Sequence, residues 1–236
     1  MKKNTIKIIA TIVLIFVSKT AYSQAFSKDD PVGTVIEYQR GDKADNIERM
    51  TLVQKESTAH GDELTIQFGE GDVQMKCLRT DDEIIWDPKN LALMIKKAID
   101  DEDIKLRVRA KGDGFVIPLQ PKLNDKYRDL KFKLTFSIYG LKPKVNIMVL
   151  DREVIRREVV ETPMGSFDTY LLRSKWRLNI KFLLIINETE DFEMYQWIAP
   201  GLGVIKEITT DEDDFENATP EILINKYMSK EKVTSN

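Results

Sequence analysis

The clearest signal along the chain is alternation. Ile104, Leu106 and Val108 interleave with Lys105, Arg107 and Arg109, and Phe132, Leu134, Phe136 and Ile138 interleave with Lys131, Lys133, Thr135 and Ser137. Successive strand residues point to opposite faces, so this pattern puts an apolar face on a core and a charged face in water. Shorter runs of β-branched and aromatic residues recur at 34–40, 50–54, 64–68, 73–79, 84–86, 145–150, 154–160, 167–175, 182–186, 192–198, 204–209 and 222–227. Small clusters of Gly, Asp, Asn and Pro separate them, as in Gly41, Asp42, Lys43 and in His60, Gly61, Asp62, which is the form of successive hairpins. Roughly a dozen strands are predicted, enough for a large curved sheet, a sandwich or a barrel.

One stretch has a different period. Asp87 and Pro88 have the chemistry of a helix start, and Leu91, Met94, Ile95, Ala98 and Ile99 recur at i, i+3, i+4, i+7 and i+8. The pattern predicts one short amphipathic helix. Its stripe suits either a plug on the open end or face of the sheet or a lid over a ligand cavity.

The chain opens with Lys2, Lys3 and Lys7, then an apolar run over residues 8–17, then Ala21, Tyr22 and Ser23. This is the three-part form of an export signal, with cleavage expected after Ser23. The run is too short for a membrane anchor, which needs about 20 apolar residues, and no cysteine follows it to carry a lipid. The expected organisation is a signal peptide over 1–23, an N-terminal segment over 24–33, a single antiparallel β domain over 34–228 and a polar tail over 229–236. Residues 24–30 and the tail are expected to fray. Export to the periplasm or cell surface is the expectation, without stable membrane insertion after cleavage.

Composition narrows the chemistry. Without the four lysines of residues 1–23 the formal net charge moves from -3 to -7, so there is no basic excess for nucleic acid. Cys77 is the only cysteine, which excludes an internal disulfide, and it lies in a strand-like run where cysteine serves as a small buried hydrophobe. His60 is the only histidine and falls in a turn, so a His-based triad or zinc site has no partners. The acidic runs 100–103 and 211–214 lack the order of a calcium loop and are read as solvated turns. Lys105, Arg107 and Arg109 suit edge protection or, more sharply, an acidic partner surface. No catalytic, cofactor or metal-binding residue is nominated.

Two turn segments stand apart from generic strands. Pro163, Gly165 and Phe167 lie in Glu161, Thr162, Pro163, Met164, Gly165, Ser166, Phe167, and Trp197, Pro200, Gly201 and Gly203 lie in Trp197, Ile198, Ala199, Pro200, Gly201, Leu202, Gly203. With the opening Pro31, Val32, Gly33, Thr34, Val35, Ile36, Glu37, Tyr38, they resemble the exported TapB-like group of Bacteroidetes-type proteins. The resemblance implies a mainly β fold, a strongly curved antiparallel sheet or incomplete β-barrel with one short helix, and a structural part for the seven motif residues. It supplies no catalytic residue. The expected function is non-enzymatic binding of an apolar ligand or a partner envelope protein. A hydrolase of polysaccharide or peptidoglycan using two carboxylates, and a structural part of a surface or secretion assembly, are the alternatives.

Overall fold

The computed structural model describes residues 26–41, 43, 45–69, 73–98, 106–138, 142–182, 186–210, 215, 218, 220 and 222–228. The signal segment 1–23, the acidic runs 100–103 and 211–214, Ile99, Lys105 and the tail 229–236 lie outside them.

The strands are β1 (Val35–Arg40), β2 (Ile47–Thr58), β3 (Gly61–Phe68), β4 (Gln74–Arg79) and β5 (Glu83–Trp86), followed by the helix α1 (Pro88–Ala98). Then come β6 (Leu106–Gly112), β7 (Phe115–Pro118), β8 (Lys126–Tyr127), β9 (Leu130–Ile138) and β10 (Lys144–Thr162). The chain ends with β11 (Gly165–Phe182), β12 (Ile186–Ala199), β13 (Gly203–Thr210) and β14 (Ile222–Met228). All fourteen join one sheet in the order β6-β9-β10-β11-β12-β13-β14-β1-β2-β3-β4-β5-β7, with β8 on β10, and every ladder is antiparallel.

The expected strongly curved sheet or incomplete β-barrel is overturned by this order. The sheet is open and ends at β6 and β7, which form no ladder with each other, so it is not a β-barrel. The alternation along each strand is the same in an open sheet as in a closed one. Closure depends on pairing between end strands, which no local pattern encodes.

The core collects the apolar face of every long strand. Trp176 of β11 is fully enclosed, with Phe115 of β7 at 5.5 Å, Phe192 of β12 stacked at 5.9 Å and Phe132 of β9 edge-on at 6.2 Å between ring centroids. Phe115 therefore bridges an end strand to the sheet's middle. The lead-in to β1 is also built in rather than frayed. Phe26 is 0% exposed, and buried Asp30 accepts from the Ser27 amide at 2.5 Å and from the Tyr227 hydroxyl.

The sequence pattern splits β10 into 145–150 and 154–160, whereas one strand runs from Lys144 to Thr162. Its register shifts between Leu150 and Glu153 and again between Val154 and Arg156, and Asp151 takes φ 50°. A bulge reverses the facing of the residues beyond it. Here it turns Arg152 inward to 3% exposure, where its guanidinium donates to the carbonyl of Val116 in β7 and to that of Arg128 at 3.4 Å.

Candidate functional site

The two end strands of the sheet are adjacent in sequence, joined by Asp113 and Gly114 alone. Beside this link, and beside the start of α1, lies a solvent-open cleft of about 730 Å³. Its walls come from the β2–β3 turn, β3, β4, β5, the first residues of α1 and the end of β6.

Each wall follows from local sequence. Asp87 caps α1, with its Oδ1 accepting the Lys89 amide at 2.8 Å, and Pro88 needs no amide partner at the first helical position. Asn90 then continues the β4 edge where β5 leaves it: its Nδ2 donates to the Lys76 carbonyl at 2.6 Å and its Oδ1 accepts the Lys76 amide at 3.2 Å. This clamp holds the helix start against β4. On the far side, glycine lets the backbone come close. A Cβ on Gly112 would sit 2.2 Å from the Lys131 carbonyl oxygen, and one on Gly114 would sit 2.6 Å from Ile85 Cγ2.

The cleft has an apolar floor and a charged rim. Leu78 and Ile85, paired across β4 and β5, and Ala110 of β6 supply half-buried apolar surface. Exposed Lys76, Lys89, Lys111 and His60 stand around it with Glu63 and Asp87. Asp87 is engaged by the helix start and by Lys89 Nζ at 3.5 Å. The rim therefore offers Lys76 and Lys111 as cations for an anionic group.

Cys77 and Trp86 face each other in the β4–β5 ladder and also border the cleft. Burial pushes the Cys77 thiol up to about 12, so it stays protonated at neutral pH. Trp86 packs edge-on to Phe68 at 6.3 Å, and its indole nitrogen is buried without a hydrogen-bond acceptor. Among the described residues no three His, Cys, Asp or Glu come together in a way that could hold a metal ion.

The residues nominated from sequence are divided among three places. Pro163, Gly165 and Phe167 lie at the β10–β11 turn, where Gly165 takes φ 126° and its carbonyl accepts the Thr162 hydroxyl at 2.9 Å. Pro200, Gly201 and Gly203 form the β12–β13 turn, with Gly201 at φ 76° donating its amide to Leu119. Trp197, just before that turn, is 3% exposed and donates Nε1 to Glu158 Oε1 at 2.6 Å, tying β12 to β10. None of these lines the cleft. The helix carrying Leu91, Met94, Ile95 and Ala98 forms, and the cleft meets its start at Asp87, Pro88 and Lys89.

Sequence reasoning missed the cleft lysines, Asn90 and Arg152. Lys76 and Lys111 are ordinary outward positions of alternating strands, and only the meeting of β4 with β6 gives them a common neighbour. For Arg152 the signal was present: the polar triplet Asp151, Arg152, Glu153 inside a long apolar alternation marks a bulge as well as a turn.

The described residues define a class by fold alone: an open, all-antiparallel sheet with a helix beside the link between its end strands. The DUF3108-like family model matches residues 19–216, and the chain belongs to that family. The TapB-like group in particular is not what matches. No curated protein matches the sequence. Two crystal structures share the fold. One is a candidate lipoprotein from Parabacteroides distasonis ATCC 8503, 16% identical, covering 87% of this chain and 99% of that one with a TM-score of 0.57. The other is a candidate exported protein with a YmcC-like fold from Bacteroides fragilis NCTC 9343, 18% identical, covering 87% and 100% with a TM-score of 0.53. No helix among the described residues is long and apolar enough to cross a membrane.

Proposed function

We propose that this is an exported envelope protein that binds an amphipathic ligand, apolar along its body and anionic at one end, without covalent chemistry. The observation that carries this reading is the cleft. Its volume falls in the ~300–1,000 Å³ range of small-ligand sites. Its floor of Leu78, Ile85 and Ala110 suits a chain or ring, and Lys76 and Lys111 suit the charged end. Export is supported by the tripartite first 23 residues and by the names of the two structural relatives. The folded unit then begins after Ser23, in the periplasm or at the cell surface. A closer kinship with the TapB-like group rests on the two turn motifs and the opening segment 31–38.

The test is calorimetric titration with laurate and with its methyl ester. We expect stoichiometric binding of laurate, weaker binding of the ester, and a loss of about tenfold in laurate affinity for Lys76→Gln/Lys111→Gln, each cation contributing ~1 kcal/mol or less at this exposure. Laurate affinity unchanged by both that pair and Leu78→Glu would refute the cleft as the site.

A second reading, capture of a partner envelope protein, is favoured by the outer half of β10. Beyond Glu153 that strand has β11 as its only ladder partner among the described residues, and it exposes Val159 to 63%. Such an edge accepts an added strand. Val159→Pro would abolish that capture and leave laurate binding unchanged.

A further inference from the structure

The outward faces of β6, β9, β10 and β11 carry cations in register. Across one row stand Arg109, Thr135, Lys144 and Lys181, and across the next Lys111, Lys133, Asn146 and Asn179. Arg107 precedes these rows beside Ser137, and Lys131 follows them opposite Met148. Every charged side chain on these rows is a cation, and all are exposed; the carboxylates that border them are Asp113, which accepts the Lys131 amide, and Asp151, which is paired with Lys175. Among the described residues Arg177, at the margin, is ion-paired, to Asp191 at 2.8 Å, while the other cations of the field make no ion pair.

Two features set this apart from an ordinary solvated face. Lys144 stands directly opposite Lys181, and Lys111 directly opposite Lys133. Like charges in facing strand positions are destabilising, so folding alone does not favour them. Edge protection also fails as the reason: it covers Arg107, Arg109 and Lys111 on end strand β6, but β9, β10 and β11 are interior strands. The contrast with the net charge of -3 makes the segregation sharper. Elsewhere on the surface cations meet acids, as Arg49 meets Glu37 at 2.7 Å and Arg157 meets Asp168.

We propose that this face docks the protein on a bilayer surface bearing anionic phospholipid headgroups. Charge complementarity identifies the partner as an anion, and the geometry favours a planar one. The cations spread over four adjacent strands, an area about 15 Å wide at the usual strand spacing, on an exposed sheet face. Most are lysines, mobile point charges rather than the rigid forks that select one carboxylate or phosphate. Met148 stands among them as a half-buried apolar group. Lys111 belongs to both this face and the cleft rim, so a docked sheet would bring the cleft opening to the headgroups. The docking itself does not depend on what the cleft holds.

The experiment is sedimentation of the purified chain with vesicles of phosphatidylcholine alone or mixed with phosphatidylglycerol. We expect binding to the mixed vesicles only, falling steeply as salt shortens the screening length. Lys131→Gln/Lys133→Gln/Lys144→Gln/Lys181→Gln should lose roughly a hundredfold or more, since each surface cation near an anionic leaflet is worth several-fold in affinity. Lys122→Gln/Lys126→Gln, exposed but outside the face, should bind as the parent does. Lys133→Gln alone should raise the melting temperature slightly by relieving its repulsion with Lys111. Equal binding to both vesicle types, insensitivity to salt, or retention on soluble dextran sulfate without vesicle binding would each overturn the proposal. The salt series needs no variant, so it decides the matter even if the quadruple variant does not fold. Laurate binding without vesicle binding would sink the docking and leave the cleft reading intact.

Discussion

Arg152 tests how this fold tolerates a buried charge. Its guanidinium donates to the carbonyls of Val116 and Arg128, lies 5.6 Å from the Tyr127 ring centroid, and feels Glu83 and Asp129 only at longer range. Burial holds its pKa down to about 10, from an ordinary 12.5. For a base, a depressed folded pKa means that the cation costs stability, here roughly 3 kcal/mol at any pH below about 10, and that the cost fades as pH rises above it. Against this stand two hydrogen bonds from a charged donor, about 1.5–3 kcal/mol each. Arg152→Ala removes both sides of that balance and adds a cavity worth ~2 kcal/mol, for a net loss of about 2–5 kcal/mol. Arg152→Met fills the space and sheds the charge, so it should lose about 2 kcal/mol less than Arg152→Ala. Equilibrium urea unfolding of the three proteins measures the differences from the midpoints, provided the slopes agree. Arg152→Met as unstable as Arg152→Ala would refute the reasoning, because the two variants share the lost hydrogen bonds and the relieved desolvation and differ only in the filled cavity.

Other outcomes rest on single contacts. Cys77 should resist alkylation at neutral pH in the native protein and react fully in denaturant, because burial keeps its thiol protonated up to about 12; fast native labelling counted by mass spectrometry would contradict its placement. The raised thiol pKa contributes stability that is complete below the unfolded value and lost as pH climbs toward 12. Buried Tyr38, also raised by desolvation, acts in the same direction, so midpoints of thermal unfolding should fall from about pH 9 upward, first through the thiol and then through the phenol. Gly112→Ala should cost well over 2 kcal/mol, since it adds a Cβ 2.2 Å from a carbonyl oxygen at φ 130°, whereas Gly165→Ala, at φ 126° with open space around it, should cost about 1 kcal/mol. Equal losses for the two in urea unfolding would show that backbone conformation, and not the close approach, sets the requirement at Gly112.

The sequence by itself determined the local elements. Period-two alternation placed the faces of β6 and β9 because a strand's side chains alternate whatever the strand pairs with, and Asp87-Pro88 placed the start of α1 because capping is satisfied within four residues. Turn chemistry likewise located Gly165, Gly201 and Gly203, whose positive φ is a local demand. The tertiary structure decided which strands end the sheet, and with them the cleft. β7, with residues 115–118 buried, has no alternation to reveal it, and β8 is too short to show a period. Lys76 and Lys111 come to one rim, and Lys144 and Lys181 to one row, only through register between distant segments. Alternation within a strand says which residues face outward, but pairing free energy summed over the whole sheet chooses their neighbours, and that sum has no local signature.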